Sequence, residues 1–160
     1  MSLRILLVAL LFWPMLAVQH PVRAQDRHAG YYYPPISSEE TYHARGLVMD
    51  NANRQLRIGF IVAQTNGQQQ QKYAPRFAIF AKGGEAEKLI ILGLDQDSFG
   101  TLYRARAVLA QLTAFARGTA LFRNLAVEDL FTFFDLAKML GFSQITISDG
   151  RTYSHRIVLK

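Results

Sequence analysis

The chain has no cysteine in 160 residues, and that absence removes several chemistries at once. There is no disulfide framework, no thiolate nucleophile, no cysteine-ligated metal and no cysteine to carry a lipid. Burial and hydrogen bonding alone must hold the fold. Runs of one charge are also missing. Eighteen lysines and arginines face 12 acidic residues for a formal charge of +6, but they are scattered, so nucleic acid is not an expected partner. Spacing-dependent catalytic signatures are absent too. Beyond residue 24 the histidines are His28, His43 and His155, none at an i, i+4 interval, and no HExxH occurs, so no metal site is expected. No serine occupies a G-x-S-x-G elbow. Lys82-Gly83-Gly84 lacks the spacing of a phosphate loop and reads as a hairpin turn. Asp95 and Asp97 suit a helix start better than acid–base work. No catalytic residue and no cofactor follow from these patterns, which lean away from an enzyme.

Only one stretch is long and apolar. Ile5 to Val18 carries no charge, Arg4 precedes it, and Val22-Arg23-Ala24 offers a cleavage site before Gln25. That is the layout of a secretory signal peptide, and the run is shorter than the roughly 20 apolar residues that a spanning helix needs. Cleavage after Ala24 is expected. It would leave a periplasmic or secreted chain without a membrane span. Loss of Arg4 and Arg23 would lower the formal charge from +6 to about +4, which still favours encounter with anionic envelope components.

Residues 25–160 suffice for one domain. Residues 25–40 read as an extended arm, because Tyr31-Tyr32-Tyr33-Pro34-Pro35 cannot sit inside a helix. Residues 41–160 read as a single α+β domain that begins with a four-stranded antiparallel meander. Its strands are Tyr42–Met49, Gln55–Gln64, Tyr73–Ala81 and Leu89–Leu94. Leu56, Ile58, Phe60 and Val62 alternate at period two in the second, and the fourth is apolar on both sides and so central. Two helices follow. One, Phe99 to Arg117, is opened by Asp95, Asp97 and Ser98 and stopped by Gly118. The other runs from an Asn124 cap to Gly141. Leu136 and Met139 fall among its polar positions, where they would lie under the tyrosine arm or face a partner. A C-terminal β-hairpin, Phe142–Ser148 and Arg151–Leu159, joins the sheet. Its apolar residues, Ile145, Ile147, Tyr153, Ile157 and Leu159, are all odd-numbered. That parity predicts a three-residue loop, Ser148-Asp149-Gly150, pairing odd with odd; a two-residue loop would place Ile147 opposite Thr152.

Three segments carry a resemblance: Gln25 to Pro35, Phe77-Ala78-Ile79-Phe80-Ala81-Lys82-Gly83, and Val127-Glu128-Asp129-Leu130-Phe131-Thr132-Phe133. They resemble a family of small exported Gram-negative proteins that offers no assigned set of functional residues. Some members carry the label molybdopterin-guanine dinucleotide biosynthesis protein A, which would imply a molybdenum-cofactor-related role. The nucleotidyltransferase of that name has a glycine-rich L-x-G-G-x-S-x-R-M-G-type loop after its first strand, and this sequence has none. The expected function is therefore a non-enzymatic binding or assembly module for a protein or envelope component. The alternative is a small-ligand-binding protein or enzyme with a pocket between sheet and helices. Tyr31, Tyr32, Tyr33, Leu136 and Met139 are the candidate contact residues for the first. Arg45, Tyr103, Arg104 and His155 are the candidates for the second.

Overall fold

A computed structural model describes residues 33–95, 99 and 101–160. The leader, Tyr31, Tyr32, Asp97 and Ser98 lie outside the described residues. In chain order the elements are β1 (Ser38–Tyr42), α1 (Arg54–Gln69), β2 (Phe77–Lys82), β3 (Lys88–Gly93), α2 (Leu102–Arg117), α3 (Ala120–Leu125), α4 (Phe133–Met139), β4 (Gln144–Ser148) and β5 (Ser154–Leu159). The class is α+β as expected, but the arrangement differs from four antiparallel strands and two helices. Among the described residues there is one five-stranded mixed sheet, ordered β1-β5-β4-β3-β2. The pairs β1/β5 and β3/β4 are parallel, and β2/β3 and β4/β5 are antiparallel. Three helices connect β3 to β4, and a crossover of that length permits a parallel return that a meander does not.

The second expected strand is instead α1. Leu56 and Phe60 are four apart, as are Arg57 and Ile61, and these four positions turn inward together. Val62, which period two would align with Leu56 and Phe60, is 51% exposed. Asn53 begins the helix, its Oδ1 accepting from Leu56 N at 2.8 Å. Gln68 and Gln69 complete its last turn, glutamine being a good helix former.

The second expected helix is shorter than its Asn124–Gly141 span, with only Phe133–Met139 forming α4, and the separate short helix α3 comes before it. Thr119, not Asn124, caps α3, and Ala126 takes a left-handed conformation at its end. Thr132 then opens α4, where the Asp135 carboxylate reaches back to Thr132 N at 2.7 Å. Leu136 and Met139, expected under the tyrosine arm or facing a partner, join the hydrophobic core. Both are buried. The segment after β1 covers α4 on the side that the helical wheel left outside: Met49 N donates to Met139 O at 3.0 Å. A Cβ at Gly46 would come within 2.7 Å of Met139 Cγ, so only glycine permits that approach.

All four helices meet the same sheet face. Leu89, Ile91, Ile145, Ile147, Ile157 and Leu159 form its surface, and Phe122, Phe133 and Phe142 pack over it. β3 is an interior strand, between β4 and the edge strand β2, and apolar on both sides, with Leu89, Ile90 and Ile91 buried. At the far edge, β1 begins at Ser38, inside the segment read as an arm, and Tyr33 is buried.

The hairpin keeps the expected parity but not its loop. Ile145 pairs with Ile157 and Ile147 with His155, odd with odd, and Ser148 pairs with Ser154. Residues 149–153 therefore make the connection, longer than the three-residue turn. Asp149 closes it, accepting from the backbone N–H of Arg151 and Thr152 at 2.9 Å and of Tyr153 at 2.8 Å. Burial alone would raise its pKa, but these bonds and one from the Thr152 hydroxyl hold the carboxyl at about 2.

Candidate functional site

α1 leans across the helical layer and leaves a cleft of about 860 Å³ between itself and α2–α4. Leu136 and Leu140, both buried, form its floor, and half-buried Leu56 and Phe60 rise from it on the α1 side. Phe115, Leu121 and Met49 complete the apolar walls. Gly59 and Ala63, one helical turn apart on α1, keep the opening wide, because a Cβ at Gly59 would meet nothing within 4 Å. The rim is neutral: Asn51, Asn53, Gln55, Gln64 and Thr119. Among the described residues, no acidic or basic side chain lines the cleft. Its size falls within the range of small-molecule sites, which are mostly apolar with a few polar groups.

Two buried charged groups fix the walls. Arg57 is only 6% exposed. Its Nε donates to Glu85 O at 2.8 Å, and its Nη1 donates to Leu140 O at 3.3 Å and Gly141 O at 3.4 Å. One guanidinium thus ties α1 to the β2–β3 turn and to the end of α4. Gly141, at φ +83°, must be glycine twice over, since a Cβ there would sit 2.5 Å from Arg57 Nη1. Asp135 does the same at the other end of α4. Its Oδ1 accepts from Arg45 N at 2.7 Å and Gly46 N at 3.4 Å, and its Oδ2 from Thr132 N at 2.7 Å, Thr132 Oγ1 at 2.9 Å and Tyr42 OH at 3.3 Å. Burial pushes this carboxyl up, and the donors from Thr132, Arg45 and Gly46 outweigh it, holding it below its ordinary value. These groups build the cleft without entering it.

Of the candidate site residues that are described, Leu136 alone lines the cleft. The others are dispersed. Arg45 follows β1 and donates from Nη1 to Leu130 O at 3.0 Å. Tyr103, in the first turn of α2, is 84% exposed, and Arg104 beside it donates its backbone N–H to Thr101. His155 is buried on β5, opposite Ser38 on β1. Its Nδ1 shares a 2.8 Å hydrogen bond with Ser38 Oγ, and Glu40 Oε1 lies 3.3 Å from Nε2. Glu40 also meets Arg106 of α2 at 3.8 Å. Serine, histidine and carboxylate in that order resemble a nucleophile and its base. However, the Glu40 contact lacks hydrogen-bond alignment, since Nε2 has no hydrogen-bond partner. Ser38 and His155 are simply register neighbours, so the trio fastens β1 to the sheet. His43 lies just past β1, five positions from Ser38, and no metal-binding group occurs among the described residues.

Comparison with known proteins returns no matching family model, no curated relative and no similar solved structure. The cleft therefore rests on its own geometry. Sequence reasoning missed the α1 lining, Gln55, Gly59, Ala63 and Gln64, because it placed them on a strand. The available signal was Asn53 three residues ahead of Leu56, with Gly59 and Ala63 at helical spacing.

Proposed function

We propose that this protein is an exported, non-enzymatic binding module that accommodates an apolar group of an envelope component or protein partner in the cleft between α1 and α2–α4. The observation that carries this reading is the lining itself: an apolar floor and walls with no charged side chain among the described residues. Each methylene transferred from water into such a surface contributes about 0.8 kcal/mol. A lining without acid, base or charge has little means to stabilise charge developing in a reaction. Export is supported by the signal-like order of Arg4, Ile5 to Val18 and Ala24.

Titration with the apolar dye N-phenylnaphthylamine tests the site. Gly59→Leu fills the cleft without meeting any atom at Cβ, so it should weaken dye binding at least tenfold while the protein stays folded. Tyr103→Ala, on exposed surface away from the cleft, should bind as the wild type does. Equal affinity in the wild type and Gly59→Leu would show that the cleft is not the site.

A further inference from the structure

The apolar cleft does not end at Gln64. Gln64 and Phe115 also line a second cleft of about 390 Å³, so the two share a border. The chemistry changes across it. The second cleft gathers amides from Gln68 on α1, Gln71 just beyond it and Gln111 on α2, together with the Tyr73 ring and Arg76. Among the described residues, no acidic side chain lines it. Arg76 is exposed and has no ion-pair partner among the described residues. A second cation, Lys72, stands 5.9 Å from the centre of the Tyr73 ring. An apolar trough therefore opens onto a positive, amide-rich one.

Resting on the binding reading above, we infer that the ligand is a single acyl chain carrying an anionic head, the chain along α1 and the head among Gln68, Gln111 and Arg76. The lengths agree. From Asn53 to Ala63 the helix advances about 15 Å, at 1.5 Å per residue, which suits a medium-length acyl chain. A guanidinium can meet a carboxylate or phosphate with two parallel hydrogen bonds, and neutral amide donors replace the water such a head would lose. A wholly apolar ligand would leave this second cleft unused.

Laurate, dodecyl phosphate and dodecanol share one chain length and differ in head. Calorimetric titration of each against the folded protein separates chain recognition from head recognition, and the two anions separate a fatty-acid source from a phosphate-headed one. At least one anion should bind tenfold or more tighter than dodecanol. Arg76→Gln should erase that preference while leaving dodecanol affinity unchanged, and Gly59→Leu should weaken all three. Equal binding of the anions and the alcohol, or a preference that survives Arg76→Gln, overturns the head assignment while leaving the apolar cleft intact. If none of the three binds, the cleft reading falls along with it.

Discussion

Replacing Gly59 by alanine should stabilise the protein, an unusual expectation for a residue in the wall of a binding cleft. Gly59 lies inside α1, Arg54–Gln69, where glycine is less favourable than alanine by about 0.5–1 kcal/mol. Nothing lies within 4 Å of its built Cβ, so the new methyl has no steric cost to offset that gain. Valine has the same open space but loses side-chain freedom against the preceding helical turn, so its gain over glycine should be only a few tenths of a kcal/mol. The expected order is alanine, then valine, then glycine. Urea denaturation measures it, with the midpoint rising and the slope unchanged. A gain of about 1 kcal/mol corresponds to roughly 3–5 °C in Tm for a domain of this size. The order is diagnostic because a strand would reverse it: β-branched valine is favoured over alanine on a pleated surface. If valine proves the most stable of the three, the helical reading of residues 54–69 is wrong, and the cleft built on it fails too.

The two buried charges give further expectations. Asp135→Asn should cost about 2–4 kcal/mol near neutral pH, because an amide nitrogen would face donors that the carboxylate now satisfies. The folded carboxyl is held below its ordinary value of 3.8, so its contribution is complete above that value and lost as pH falls through the lower folded one. The stability gap between wild type and Asp135→Asn should therefore shrink from about pH 4 downward; a gap that widens in acid would refute the assignment. Arg57→Met should lose about 2–4 kcal/mol, since it leaves the carbonyls of Glu85, Leu140 and Gly141 without their donor. Glu85→Gln should change stability by less than about 0.5 kcal/mol, because that side chain is 75% exposed and its contact with Arg57 spans 3.9 Å. Comparable losses from the two would mean that the ion pair, not the carbonyl cradle, holds α1.

How much of this was legible beforehand depends on the range of the deciding interaction. Hairpin parity followed from Ile145, Ile147 and Ile157, because side chains alternate strictly along a strand. The loop length did not, since it depended on Asp149 gathering three backbone N–H groups. The apolar run of β3 announced an interior strand, though the middle of the sheet is β4, and Gly118 and Gly141 marked helix ends. The Ser38–His155–Glu40 contact could not be read, because it depends on β1 pairing in parallel with a strand more than a hundred residues away.

The sequence by itself determined the absence of cysteine chemistry, the α+β class, the interior position of β3 and the odd-with-odd pairing of the hairpin. Each is a property of composition or of a short repeat. Tertiary structure alone decided that residues 54–69 are helical, that Leu136 and Met139 are buried, and that the sheet is mixed. Between Leu56 and Val62 the periods of a strand and a helix overlap, and only the buried contacts of Arg57, Phe60 and Ile61 break the tie. The cleft belongs to that second group: its walls come from α1 and from the later helices α2–α4, separated from it by β2 and β3, and no local pattern encodes the space between them.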